Sequence, residues 1–251
     1  MARIVVIGGT GHVGSRVVAK LIEHGHDAVA ASRKTGVDTT TGEGLAQALE
    51  GADVVVDTTQ APSYAPDVVM DFFTTSTSNQ LAAEKKAGVK HHVALTVVGT
   101  NRPQNISYFH GKAAQEKLIA ESGVPYTLVH ATQFFEFAPA IVFTSTQGDS
   151  ISVADALIQP VAAEDVATAL GRIAAAEPVN GSIEVAGPES FPIEDFIRRT
   201  FVATGDQRPV STSADAQYFG ANIEESTLLP LEGAQLSSTT LDEWLAARDQ
   251  R

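Results

Sequence analysis

The segment RIVVIGGTGHVGSRVVAKLIEHG, residues 3–25, changes its periodicity halfway along. In the stretch Arg3 to Ile7 every residue after the arginine is β-branched and apolar, as expected of a strand covered on both faces in a parallel sheet. Gly8-Gly9-Thr10-Gly11 interrupts it. Val13, Val17, Val18, Leu21 and Ile22 then recur at helical spacing until Gly25. Strand, glycine turn and helix therefore follow one another within 25 residues.

The same alternation continues downstream. Strands are expected at 27–31, 53–57 (DVVVD), 91–96 and 125–130 (PYTLVH), with helices at 42–50, 66–87 and 106–121 between them. Strands separated by helices of ten or more residues imply right-handed crossovers and a parallel sheet. Beyond residue 131 the rhythm loosens. Strands are expected at 157–161 and 182–186, and helices at 163–175, 193–203 and 241–248. Residues 206–239 are turn-rich and carry no assignment.

Composition narrows the function classes. With 43% hydrophobic residues over 251 positions, the chain can bury a large core, and 19% charged residues is too few for an acidic disordered chain. A formal charge of −13 argues against a nucleic-acid binder. It is read as solubility through self-repulsion. The absence of cysteine removes disulfides, thiolate metal sites and cysteine nucleophiles from consideration. No segment has the length of a membrane span and the N-terminal apolar run is too short for a signal peptide, so no membrane role and a cytoplasmic location are expected. No metal-ligand spacing and no Gly-x-Ser-x-Gly elbow appears. A homo-oligomer is left open.

The strongest local signal is GGTGHVG, residues 8–14. One glycine takes a tight turn, another lets the backbone approach a pyrophosphate, and a third lets helix pack on strand. The helix N-terminus then presents N–H groups and a positive dipole end to the phosphates. Gly8, Gly9, Thr10, Gly11, His12, Val13 and Gly14 are thus expected to bind a dinucleotide, with His12 read as a solvent-facing spacer. At the end of the second strand, where an adenosine ribose would sit, stand Ser32, Arg33 and Lys34, with no carboxylate before Asp38. A basic residue there suits the 2′-phosphate of NADP(H) over NAD(H). The plainer alternative is a pair of solvated loop charges.

Tyr108 and Lys112 stand four apart and share one face of an expected helix. A neighbouring ammonium would lower the pKa of the phenol and make it a proton donor to a carbonyl oxygen during hydride transfer. Lys112 could also bind the nicotinamide ribose. Thr96, ending the strand 91–96, could polarise a substrate oxygen or simply close the strand.

Several stretches together resemble the NmrA-like family of atypical short-chain dehydrogenase/reductases. They are GGTGHVG, DVVVD, LTVVGTNRPQNISYFHGKAAQEKLIAESGVPYTLVHATQFFEF, PVAAEDVA, IEVAGPE and LDEWLA. The resemblance covers nearly the whole chain and is most specific from Leu95 to Phe137. It implies an α/β fold of Rossmann type, a doubly wound parallel sheet with a smaller C-terminal α/β lobe. The NAD(P)-binding core would take residues 1–131, completed by 157–186, and the substrate-binding lobe residues 132–156 and 187–251. By the same resemblance, Asp57, Thr58 and Thr59 would line the adenosine loop, while Thr96, Tyr108 and Lys112 would lie near the nicotinamide. His130, where the family commonly has arginine, and Gln133, Phe134 and Phe135 would meet a small-molecule substrate. The phenylalanines could equally be core.

The implied function is an NAD(P)H-dependent oxidoreductase reducing a small carbonyl or quinone-like acceptor. A non-catalytic NADP(H)-binding redox sensor is the alternative, since the family contains both kinds. An epimerase or dehydratase would want a larger lobe than about 120 residues of mixed structure.

Overall fold

A computed structural model describes residues 1–102 and 105–248, without the side chains of residues 202 and 203. In chain order the elements are β1 (Arg3–Ile7), α1 (His12–Glu23), β2 (Asp27–Ala31), α2 (Leu45–Ala48), β3 (Val54–Asp57), α3 (Pro66–Ala87) and β4 (His91–Val97). They continue with α4 (Ser107–Glu121), β5 (Tyr126–Ala131), α5 (Ala138–Ser145), β6 (Thr146–Gln147), β7 (Ser150–Ala154), β8 (Leu157–Ile158) and α6 (Ala163–Ala174). The last are β9 (Gly181–Ala186), β10 (Phe191–Pro192), α7 (Ile193–Thr204), β11 (Val210–Ser213), β12 (Gln235–Leu236) and α8 (Leu241–Arg248).

Seven strands form a parallel sheet in the order β12-β9-β5-β4-β3-β1-β2, a Rossmann-type α/β arrangement. The chain leaves β1 first to one side and then to the other, so the strand order reverses between β1 and β3. Open α/β sheets bind ligands beyond the carboxyl ends of the strands at such a reversal. Ile4, Val5, Val6 and Ile7 are fully buried, which is why β1 reads as a continuous apolar run rather than an alternating one. Burying each such side chain contributes about 1.5–3 kcal/mol.

The chain divides into two compact units. The first comprises Met1–Thr96, Ser107–His130 and Val166–Ile183. Glycine permits a close approach between its helices α3 and α4 but is not required between α6 and α1. A Cβ on Gly111 of α4 would lie 2.5 Å from Val69 Cγ1 of α3, whereas one on Gly171 of α6 would meet Lys20 of α1 at an ordinary 3.6 Å. The helix α3 starts with Pro66 at its first position, where a missing N–H costs nothing, and ends at Gly88 with φ +74°.

The second unit comprises Val97–Ile106, Ala131–Asp165 and residues 184 onward. It holds a three-stranded sheet, β11-β7-β6, and a two-stranded one, β10-β8. Phe135 packs against Trp244 and Phe196, with ring centroids 5.4 and 6.4 Å away.

Three expectations change. The helix expected over 42–50 shrinks to the four residues of α2, because Gly42 and Gly44 hold left-handed φ values of +82° and +74°. The strand expected over 157–161 shortens to β8, which pairs antiparallel with β10 and stays outside the seven-stranded sheet. Pro160 has no N–H to extend a ladder. The unassigned stretch 206–239 supplies β11 and also β12, the two-residue edge strand beside β9.

Candidate active site

The turn between β1 and α1 is built on backbone contacts. Gly8 N donates to Ala31 O at 2.8 Å, Gly9 N to Val6 O at 3.0 Å, and Gly11 N to Gly8 O at 2.8 Å. Gly8 holds φ +78°, a conformation that a side chain would strain. A Cβ on Gly9 would sit 2.6 Å from Val6 O, and one on Gly14 would sit 2.3 Å from Gly8 O and 2.6 Å from Thr58 Oγ1. A Cβ on Gly11 would come no nearer than 3.1 Å to Gly8 O. Space is therefore tighter at Gly9 than at Gly11, although the spacing of the motif points to Gly11. The first bond within α1 runs from Ser15 N to Gly11 O at 3.0 Å, so the amides of Val13 and Gly14 precede the helical ladder. No acidic side chain stands in that first turn. His12 is exposed, and Arg16 hydrogen-bonds its carbonyl.

Beside this turn, Thr10 Oγ1 donates to Ser32 Oγ at 2.9 Å. Ser32 also accepts from Lys34 N at 3.2 Å, capping a short 3-10 turn over Arg33–Thr35. Arg33 and Lys34 stand exposed. The Asp38 carboxylate bonds the Thr40 hydroxyl and amide, which hold its pKa below the usual value. That leaves the end of β2 with hydroxyl and cationic groups.

Beyond β3, Thr58 Oγ1 donates to Ile7 O at 2.9 Å, tying this loop to the glycine turn. Thr59 Oγ1 is buried without a hydrogen-bond partner. Asp57 is turned inward. Its Oδ2 accepts from Gln115 Nε2 at 2.9 Å and Gln80 Nε2 at 3.1 Å, and its Oδ1 accepts from Thr59 N at 2.8 Å. The resemblance put Asp57 in a cofactor contact; here its carboxylate organises the protein side of the loop.

The helix α4 buries a polar face. Lys112 Nζ donates to Leu95 O and to Gln115 Oε1, both at 2.8 Å, and lies 4.3 Å from the centre of the Phe73 ring. Burial lowers its pKa to about 8, against the opposing pull of Asp57 and Glu116. Tyr108 donates to Gln60 Oε1 at 2.7 Å and packs edge-on to Phe73. Burial pushes the phenol pKa up, with Tyr64 adding to the effect. The expectation that Lys112 would lower the Tyr108 pKa is therefore corrected. The ammonium turns inward to a carbonyl, an amide and a ring, and the phenol holds its proton more firmly than a free tyrosine.

Next to Lys112 on the same face lies Glu116, one further turn along and absent from the sequence-based expectations. Thr96, buried near the end of β4, donates its hydroxyl to Glu116 Oε1. His130, 3% exposed on β5, places Nε2 3.2 Å from the same oxygen. Thr96 and His130 both stand near carboxyl ends of sheet strands. The sequence trace of Glu116 is its spacing: Tyr108, Lys112 and Glu116 follow at i, i+4 and i+8.

The remaining candidates belong to the second unit. Gln133 is buried with neither side-chain polar atom hydrogen-bonded, and Phe134 is half-buried in a bridge with Val161. Phe135 was expected to meet substrate; at 1% exposure it is core, enclosed by Phe196 and Trp244. Among the described residues no group of three His, Asp or Glu could hold a metal ion, and no helix is long and apolar enough to cross a membrane.

The fold has many solved counterparts. The chain is similar to an NADP complex of dTDP-4-dehydrorhamnose reductase from Bacillus anthracis, with TM-score 0.73 and 16% identity over 100% of this chain and 98% of that one. It is similar to NADPH-dependent quinone oxidoreductase QOR2 from Escherichia coli, complexed with NADPH, with TM-score 0.72 and 19% identity over 98% and 99%. A third is triphenylmethane reductase from Citrobacter sp., complexed with NADP(H), with TM-score 0.65 and 18% identity over 85% and 79%. Among curated sequences, the Photosystem II assembly factor Ycf39 of Synechocystis sp. is 25% identical over 148 residues, 53% of this chain and 45% of that protein. The chain thus matches less than half of that relative's length. Residues 35–177, more than half of the chain, match the NAD(P)H-binding family, and the chain belongs to it.

Proposed function

We propose that this protein is an NAD(P)H-dependent oxidoreductase of the NmrA-like, atypical short-chain dehydrogenase/reductase type, reducing a small carbonyl or quinone-like acceptor. The carrying observation is the turn of Gly8, Gly9 and Gly14, which packs so closely on Thr58, Val6 and Ala30 that it has no room for side chains, and from which α1 presents its first amides at the strand-order reversal. The unpartnered Thr59 hydroxyl, on the loop tied to that turn, fits a ligand that supplies its missing partner. A bound nicotinamide dinucleotide supplies a hydride.

The residues around it divide the remaining work. The amides of Val13 and Gly14, with Gly9, Thr10, Gly11 and His12 around them, bind the pyrophosphate. Ser32, Arg33 and Lys34 hold a 2′-phosphate, which makes NADP(H) the preferred cofactor. The NADP and NADPH complexes among the similar structures support this reading. Thr58 and Thr59 face the adenosine side. Thr96 orients the acceptor oxygen. Tyr108, protonated at all working pH values, serves as a hydrogen-bond donor. Lys112 fixes α4 against Leu95 and Phe73 rather than activating the phenol. His130, Gln133 and Phe134 meet the acceptor, and residues 132–156 with 187–251 form the substrate-binding lobe.

NADPH and NADH titrations followed by cofactor fluorescence test the reading, together with NADPH oxidation against a panel of quinones, aldehydes and ketones. NADPH should bind at least tenfold more tightly than NADH, and Arg33→Ala should remove most of that difference. Equal affinities in the parent protein overturn the 2′-phosphate assignment.

One observation favours a second reading, a non-catalytic NADP(H) sensor. The Tyr108–Lys112 pair does not form the activated acid that its spacing suggests. Tight NADPH binding with no turnover of any acceptor selects the sensor.

A further inference from the structure

We propose that Gln133 determines acceptor specificity by selecting a molecule that carries an N–H beside a C=O, the edge of a cyclic imide or lactam. This deepens the oxidoreductase reading and rests on it for the catalytic consequence, whereas the binding itself does not. Gln133 is 6% exposed, and neither Oε1 nor Nε2 has a hydrogen-bond partner. Burying an amide in that condition destabilises a fold, and native chains leave few such groups. The main chain around it is held. Gln133 O accepts from Val161 N, Thr132 N donates to Val185 O and Phe135 N donates to Val161 O, each at 2.9 Å. The segment is fixed while the side chain it carries goes unanswered.

Two hydroxyls share that condition. Val98 N donates to Ala131 O at 2.9 Å, joining the segments that leave β4 and β5. Thr100 stands two residues beyond that bond on one segment, and Thr132 and Gln133 stand one and two residues beyond it on the other. Thr100 Oγ1 and Thr132 Oγ1 are buried and unpartnered. All three residues belong to the second unit. Unused side-chain donors and acceptors, gathered on segments with bonded main chain, mark a site whose partner is a ligand.

The amide fixes the chemistry of that ligand. A carboxamide sets an acceptor and a donor side by side, and turning it over exchanges them without changing what it asks of a partner. Its match is a planar group with a donor next to an acceptor, as when glutamine reads the edge of adenine. A lone ketone satisfies Nε2 and leaves Oε1 bare, and a carboxylate sets lone pairs against Oε1. A cis amide within a ring satisfies both. The threonine hydroxyls donate or accept as required, so Thr100 and Thr132 add affinity without discriminating. The Gln133 side chain has no hydrogen bond to break in turning towards such a ligand. An unsaturated cyclic imide also suits the proposed reaction, because its two carbonyls activate the C=C bond as in a quinone. A hydride from the reduced nicotinamide dinucleotide adds to one alkene carbon as the C=C π bond breaks. The other carbon takes a proton from water, giving the saturated imide and oxidised cofactor.

The experiment uses the full chain, with maleimide and N-methylmaleimide as acceptors and succinimide and N-methylsuccinimide as binding probes. The chain has no cysteine for a maleimide to alkylate. Maleimide should be reduced by NADPH with kcat/KM at least tenfold above its N-methyl analogue, since a blocked N–H leaves Gln133 Oε1 unpaired. Gln133→Met, of similar size, should bring that ratio within twofold; a ratio that persists in the variant assigns the preference to methyl bulk and overturns the proposal. Equal rates with both maleimides in the parent overturn it too, and leave the oxidoreductase reading standing. Gln133→Met should also raise Tm of the free protein by about 2–4 °C, because it removes an unanswered buried amide. An unchanged or lower Tm shows an amide already bonded inside the folded chain, through buried water, and refutes the site. In NMR spectra, the Gln133 side-chain amide signals, assigned by their loss in Gln133→Met, should shift with succinimide and stay put with N-methylsuccinimide. If the parent binds NADPH but reduces no acceptor, the oxidoreductase reading fails and this titration decides the site alone. Equal shifts with both probes, or none, sink it.

Discussion

Replacing Gly14 by alanine should damage both stability and dinucleotide binding. The added Cβ would lie 2.3 Å from Gly8 O and 2.6 Å from Thr58 Oγ1, against an ordinary contact of at least 3.4 Å. Neither neighbour is the loose end of a flexible chain. The Gly8 carbonyl accepts from Gly11 N at 2.8 Å, and Thr58 Oγ1 is bonded to Ile7 O at 2.9 Å. The turn must therefore shift by about 1 Å against its own hydrogen bonds. Overpacking of this kind costs about 1–3 kcal/mol. For a chain of this size each kcal/mol lowers Tm by about 2–4 °C. The same shift displaces the amides proposed to bind the pyrophosphate, so NADPH affinity should fall at least tenfold, about 1.4 kcal/mol. Gly171→Ala is the control. Its Cβ would rest 3.6 Å from Lys20 Cβ inside α6, and alanine there should be neutral or stabilise by about 0.5–1 kcal/mol. Thermal unfolding and fluorescence titration of the two variants read both quantities. If Gly14→Ala matches the parent in Tm and NADPH affinity, the turn does not govern the site.

Two further expectations concern buried histidines at the start of β4, the middle strand of the sheet. Glu84 and His92 are both fully buried, with Glu84 Oε1 2.8 Å from His92 Nδ1. Burial alone would lower the His92 pKa, but the Glu84 charge and hydrogen bond outweigh it and the net shift is upward. Its contribution to stability is present in full at low pH, below the unfolded value, and is lost as pH rises through the folded one. Glu84→Gln should lower unfolding stability by about 3–5 kcal/mol at neutral pH in urea titrations, and a loss under 1 kcal/mol would contradict the pairing. His91 behaves oppositely, because burial lowers its pKa to about 4 despite a hydrogen bond involving the Ala176 backbone. From about pH 6.5 down to 4 the unfolded chain takes a proton that the folded chain refuses, so this residue's contribution fades with acid. His91→Asn should show a shallower loss of stability across that window in pH-dependent urea unfolding. An identical slope would remove His91 as the cause.

The opening of the chain was readable because its signals agree. Four buried residues, a glycine turn and an amphipathic helix each imply the next, and β1, the turn and α1 form close to the expected bounds. Local signals failed where one residue's backbone overrode its neighbours, as at Gly42, Gly44 and Pro160. They failed also where pairing alone makes the element. The strand β12 is two residues long and has no periodicity to detect. The candidate site was half legible for a related reason. Tyr108 and Lys112 announce themselves by spacing, but what they do depends on partners far away in sequence. Phe73 of α3 and Gln60 after β3 draw them apart in role. Glu116 escaped notice because Thr96 and His130 meet it only through strand order.

The amide of Gln115 stands between Asp57 and Lys112. Its nitrogen faces Asp57 and its oxygen faces Lys112, so the two opposite charges never touch and each meets the complementary end of one small dipole. Such a spacer works in a single orientation. Glutamate at position 115 would have the right shape, yet would set two acids against each other at Asp57, whereas methionine would take one hydrogen bond from each charge, leaving Asp57 to Gln80 and Thr59 and Lys112 to Leu95 and Phe73. The distinction between two side chains of nearly equal size is thereby written into the interior, where Gln115 is buried.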